Sequence, residues 1–142
     1  MLATRPKPSA VHICYGYGIP ANLAWKATLG SEWRQYEKFF PALANSRIDQ
    51  VSIECINSRV PMSLISLLHG KDVLVGAIDV ASDQVETPEQ VAALIMRATE
   101  YVPKERIIAC TNCGMAPMRH DIAVKKLEAL AQGAALARKN FG

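Results

Sequence analysis

Four short runs rich in β-branched and apolar residues, each followed by a longer stretch of helical character, restrict this chain to a parallel α/β architecture. The runs are AVHICY from Ala10 to Tyr15, QVSIEC from Gln50 to Cys55, DVLVGAID from Asp72 to Asp79 and RIIACT from Arg106 to Thr111. A Gly-rich turn from Gly16 to Pro20 follows the first run. The pattern predicts a helix over Glu32 to Ala44, with Ser31 as N-cap and Pro41 kinking or ending it. Pro61 to Leu68 reads as a short helix closed by His69 and Gly70. Thr87-Pro88-Glu89-Gln90 is a strong helix start, from which a helix is expected to reach about Tyr101. The last helix, Asp121 to Lys139, carries Val124, Leu127, Leu130 and an Ala-rich stripe from Ala131 to Ala137.

A chain of 142 residues, 50% of them hydrophobic, suffices for one domain, taken as 1–142, and for no more. Four βα units fit either a small open sheet or half of an eight-stranded barrel, since a complete barrel needs about 250 residues. Strand residues two apart share a face, so His12 pairs with Cys14, and Ser52 with Glu54. By the same rule Val75, Ala77 and Asp79 share a face in the third run. In the fourth, Ala109, Thr111 and, if the strand continues, Cys113 face together, with Cys110 on the opposite side. Polar groups at successive strand C-termini are what the mouth of a parallel barrel requires. An open sheet would instead use a Gly-rich phosphate loop, and Gly16-Tyr17-Gly18 lacks the third glycine of the dinucleotide fingerprint. The expected fold is therefore a parallel (βα)4 half of a TIM-type (β/α)8 barrel.

The formal charge of +3 is spread along the chain without a basic, aromatic-studded run, which excludes a nucleic-acid surface. No apolar stretch approaches the roughly 20 residues that span a bilayer, and the start lacks a secretory h-region, so the expected location is cytoplasmic. In a reducing compartment Cys14, Cys55, Cys110 and Cys113 point to metal binding or catalysis before disulfides. His12, Cys14, Glu54 and Cys113 at strand ends form a donor set suited to Zn2+, with the carboxylate as the weakest ligand. Zinc removes the proton from a bound thiol, so the donor set points to thiol alkylation. Hydrolysis ranks second, because two thiolates make the ion a poorer Lewis acid. Cys110-x-x-Cys113 offers a redox alternative, weakened by the placement of Cys110 inside a strand. Cys55 and Cys110 are assigned to packing, and His69 and His120 to solvated positions at a helix end and in a loop. Trp25, Trp33, Tyr36 and Phe39 are read as a packing stripe or partner surface, and Arg59 as a solvated loop arginine.

Four segments together carry a family resemblance: VHICYGYG around His12 and Cys14, VSIEC around Glu54, LVGAIDVASDQVETPEQV from Leu74 to Val91, and ERIIACTNCGMAP ending at Pro117. They resemble the C-terminal catalytic barrel of cobalamin-independent methionine synthases, in the family's order and over nearly the whole chain after Ala10. The resemblance implies that His12, Cys14, Glu54 and Cys113 hold a catalytic zinc. It further implies that homocysteine is the methyl acceptor and methyltetrahydrofolate or a related carrier the donor. Where two-barrel members have a catalytic His in an I-H-S sequence, this chain reads Ile78-Asp79-Val80, as the short single-barrel members do. Asp79 is accordingly expected to transfer a proton or to position a partner. The family's barrel begins well upstream of Ala10, so the first and fourth strands are expected to be open edges. A second copy or a separate N-terminal half-barrel chain would close them. The alternative is a truncated zinc-holding or assembly module without turnover of its own.

Overall fold

A computed structural model describes residues 7–17 and 19–141; the first six residues, Gly18 of the predicted turn, and Gly142 lie outside them. Four strands, β1 (Ala10–Ile13), β2 (Gln50–Glu54), β3 (Asp72–Ile78) and β4 (Ile107–Thr111), form one parallel sheet in the order β1-β2-β3-β4. Sequential order and uniform direction are the arrangement of one half of a (β/α)8 barrel. The helices are α1 (Pro20–Ala27), α2 (Phe40–Ala44), α3 (Pro88–Ala98) and α4 (His120–Asn140), with 3-10 turns at Gln35–Lys38, Met62–Leu67 and Lys104–Arg106.

The outer face of the sheet is the core. Val51, Ile53, Val73, Val75 and Ala77 are buried there against Val91, Ile95 and Ala98 of α3 and Ala137 of α4. Each such valine or isoleucine contributes roughly 1.5–3 kcal/mol. The inner face is different. Register aligns His12, Ser52, Leu74 and Ile108 across the four strands. His12 is exposed and Ile108 is 40% exposed, so this row faces open space. An inner face of this kind is filled by the remaining strands in a closed barrel.

Three expectations change. The predicted helix over Glu32 to Ala44 is a 3-10 turn followed by the short α2, and α1 occupies a stretch given no helix. Both differences have one cause. Pro20 is the first residue of α1 and Pro41 the second of α2, where a missing N–H breaks nothing, so each proline sits at a helix start. His120, expected in a loop, is the first residue of α4. The third change concerns faces. A register shift between Gly76 and Ile78 breaks strict alternation in β3, and Cys110 lies on the inner face, with its Sγ 3.7 Å from Ser52 Oγ. Cys113 reaches that side through the turn after β4, whose Thr111 hydroxyl donates to the Cys113 carbonyl at 2.8 Å.

The start of α3 follows the sequence closely: Thr87 and Gln90 form a reciprocal capping box over Pro88. The aromatic residues pack as a cluster. Tyr15 touches Trp25, Trp33 and Tyr36 at centroid distances of 5.5, 4.7 and 5.0 Å, and Tyr36 stacks on Phe40 at 5.1 Å. No helix among the described residues is long and apolar enough to cross a membrane.

Candidate metal centre

The end of β1 and the turn after β4 lie side by side at the C-terminal rim although 99 residues separate their cysteines, and Cys14 Sγ stands 3.6 Å from Cys113 Sγ. A ligating atom of His12 joins them, so that all three donors lie within 4.8 Å of one another. Two sulfurs each about 2.3 Å from a tetrahedral ion would be about 3.8 Å apart, so the observed separation fits a shared metal. Thiolate and imidazole donors suit a borderline-soft divalent ion, and three protein ligands leave one position for a further group.

His12 is oriented by the strand beside it. Its Nδ1 lies 2.9 Å from Ser52 Oγ, the residue paired with it in register, which leaves Nε2 as the nitrogen available to an ion. Burial raises the Cys14 thiol above its ordinary range, and the neighbouring Cys113 and Glu54 add to this against the backbone N–H of Gly16. The Cys14 thiol therefore resists ionising by itself, and a cation beside it reverses that preference. Cys113 faces Cys14, while Cys110 faces Ser52, so the close pair of thiols is not the C-x-x-C pair. Burial pushes the Cys55 thiol up to about 12, in keeping with a packing role.

Glu54 stands at the same rim, 3% exposed, and each of its oxygens accepts a hydrogen bond from the protein. The Tyr15 N–H donates to Oε1 at 3.0 Å and the Tyr17 hydroxyl to Oε2 at 2.5 Å. The structure thus brings His12, Cys14 and Cys113 together and places Glu54 next to them, outside the group of three. Burial first, then the bond to Glu54, drives the Tyr17 phenol far above its usual range, so it remains a donor. Asp79 is buried and lines a separate cleft of about 260 Å³ with Asn57, Glu86 and Gln90. Its Oδ1 accepts from Ala81 N–H at 2.8 Å and its Oδ2 from Asn57 Nδ2 at 3.0 Å.

Two supporting residues escaped the sequence reading. Lys126 of α4 is fully buried and donates to the Asp79 and Gln84 carbonyls and to both oxygens of Glu86, which pins the loop after β3 onto α4. Asn112, 1% exposed, accepts from Cys55 N–H at 3.0 Å and donates through Nδ2 to the Ile56 carbonyl at 2.8 Å. It thereby locks the residue before Cys113 to the end of β2. A lysine at a helical position flanked by apolar residues was the available signal for the first, and the Asn beside the ligand cysteine for the second.

Comparison with known proteins places this rim in context. The catalytic-domain model of the cobalamin-independent synthases matches residues 33–136. The methionine synthase of Saccharolobus solfataricus is 27% identical over 133 residues, covering 92% of this chain and 35% of that protein. That of Thermococcus kodakarensis is 28% identical over 96 residues, covering 67% and 29%. The structure of a B12-independent methionine synthase from Shewanella sp. W3-18-1, in complex with selenomethionine, superposes with a TM-score of 0.90. It is 53% identical, covering 98% of this chain and 41% of that one. The chain spans about a third of the length of the curated relatives it matches. On the strength of a family model that covers most of its length and a backbone that follows a solved relative, this chain belongs to the cobalamin-independent methionine synthase family.

Proposed function

We propose that this chain is the metal-holding C-terminal part of a cytoplasmic methyltransferase that forms methionine by moving a methyl group to the thiol of homocysteine. The methyl comes from methyltetrahydrofolate or a related donor. The observation that carries the reading is the convergence of the Cys14 and Cys113 sulfurs, 3.6 Å apart, with the His12 imidazole. Zn2+ is the ion proposed for them, with Glu54 as a fourth, exchangeable ligand, and its chemistry is to let a thiol lose its proton at neutral pH. The chain's own residues do the rest. Ser52 holds the His12 ring, Asn112 fixes the turn that presents Cys113, and Asp79, held by Asn57 and Ala81, positions the loop after β3. The selenomethionine bound by the Shewanella relative supports a methionine-type ligand for this rim.

The open inner face and the exposed edges favour a second reading, in which residues 1–142 form one partial barrel domain that holds metal without turnover alone. A second copy, or a chain carrying the N-terminal half of the barrel, would complete it. One set of measurements tests both. Purified chain dialysed against zinc and analysed by elemental mass spectrometry is expected to hold one ion per chain. Cys14→Ser and Cys113→Ser should each abolish retention, because each removes one of the two thiolates that hold the ion. Methyl transfer to homocysteine is expected only when the other half of the barrel is added. Absence of stoichiometric zinc would end the proposal, and zinc without turnover under reconstitution would leave the second reading.

A further inference from the structure

Glu54 differs from the other three expected ligands in that protein donors already serve both of its ligating atoms. Tyr15 N–H and the Tyr17 hydroxyl occupy Oε1 and Oε2. An ionised carboxylate only accepts, and a donor on one of its oxygens draws charge from it and restrains its orientation, so the bond weakens that oxygen as a ligand although a second lone pair remains. We infer that Tyr17 is a positioning residue that holds Glu54 in reserve, so that the carboxylate exchanges between the Tyr17 phenol and the metal as a thiol arrives and leaves. This rests on the metal-centre reading above and adds to it the partner that receives the displaced carboxylate.

The local chain is built for that task. Gly16 takes φ +77°, a left-handed conformation that turns the chain directly before Tyr17, and a Cβ there would collide with Asn22 Nδ2. Lys26 of α1 donates to the Gly16 carbonyl at 2.6 Å, and its Nζ lies 5.0 Å from the centroid of the Tyr17 ring. Turn and ring are thus held by the same lysine. The two donors to Glu54 are not equivalent. Tyr15 N–H belongs to the backbone just beyond β1 and is fixed with it, whereas the phenol is a side-chain group on the far side of that turn. The Tyr17 bond is therefore the one that can break and re-form without disturbing the sheet.

The sign of one substitution separates this role from a structural one. A residue that only supports the centre weakens metal binding when removed, and a competitor strengthens it. In chelator-competition titrations of the full chain with Zn2+, Tyr17→Phe is expected to tighten zinc binding about tenfold, the loss of one hydrogen bond to a charged acceptor. By reciprocity, homocysteine affinity of the zinc-loaded variant should fall by a similar factor, because the displaced carboxylate loses its acceptor site. In a Glu54→Gln background Tyr17→Phe should leave zinc affinity unchanged. Carboxylate infrared bands of the unmutated chain should shift when zinc is added and return when homocysteine follows, a readout that needs no variant to fold. Unchanged or weaker zinc binding in a folded Tyr17→Phe chain, or bands that do not return, overturns the inference and leaves the metal centre standing. A wild-type chain that takes up no zinc removes both.

Discussion

Gly76 and Asn112 decide where Cys113 can be. The Asn112 amide bridges Cys55 N–H and the Ile56 carbonyl, and its own N–H donates to the Ile78 carbonyl at 2.9 Å, so one residue joins the ends of β2, β3 and β4. The space it uses exists because residue 76 has no side chain. A Cβ at Gly76 would lie 2.5 Å from Asn112 Oδ1, 2.7 Å from the Ile53 carbonyl and 2.9 Å from Asn112 Cα. Two of those atoms are backbone and cannot swing away. Gly76→Ala is therefore expected to destabilise the fold by about 1–3 kcal/mol through overpacking, and to loosen metal binding because the turn before Cys113 is displaced. Urea unfolding monitored by circular dichroism measures the first and chelator competition the second. A variant with wild-type stability would show that the three strand ends have slack. This residue was partly legible in sequence, since an isolated glycine inside a strand pattern marks close backbone approach. What it approached was not legible, because Asn112 is far away along the chain and figured in the sequence only as the residue before Cys113.

At the scale of elements, strand order and the ends of strands were well anticipated, and the segment between β1 and β2 was not. His12, Cys14, Glu54 and Cys113 stood out because ligand-type residues at strand ends break an otherwise apolar pattern. The segment 20–44 misled because Pro20 was assigned to a turn and Pro41 to the end or kink of a helix, whereas both lie in the first turn of a helix, α1 and α2 respectively. The inward side of Cys110 was missed because the phase of the fourth strand was set from Cys113, which lies beyond it in a turn. Register pairs Leu74 with Ile108 and Gly76 with Cys110 ahead of the shift, so plain alternation puts Cys110 on the inner face. The β1 element also shows how an edge strand of four residues is kept in place. Asp49, just before β2, accepts from the Ser9 N–H at 2.7 Å and the Ser9 hydroxyl at 2.9 Å. These two donors lower the Asp49 carboxyl below its ordinary range. A carboxyl lowered in the folded chain stabilises it above the unfolded value, and that contribution disappears as pH falls through the folded value. Asp49→Asn should thus lower Tm at neutral pH, and its thermal unfolding curve should merge with that of the wild type below the carboxylate range. A Tm difference that persists undiminished in acid would assign the effect to packing in place of charge.

Across the whole molecule, one face of the sheet is finished and the other is not. α3 and α4 cover the outer side, while both edges carry apolar groups in water. Ile19, Leu23 and Trp25 are 54%, 56% and 48% exposed beside β1, and Ile108, Val124 and Leu127 are 40%, 39% and 48% exposed at the β4–α4 edge. A groove of about 570 Å³ runs between β4 and α4, lined by Ile107, Ile108, Leu127, Leu130 and Phe141. Edge strands beside such a groove are a template for pairing. The isolated chain should therefore associate in a concentration-dependent manner, visible as a rising weight-average mass in sedimentation equilibrium. Ile108→Lys combined with Leu127→Glu places charges on the inner face and on α4 at this one edge, and both positions are already partly exposed. The double variant should shift the distribution toward monomer. It should leave zinc retention unchanged, because neither residue contributes to the His12, Cys14 and Cys113 group. A wild-type chain that remains monomeric at high concentration would rule out a second copy as the group that closes the barrel and leave a chain carrying the N-terminal half in that role.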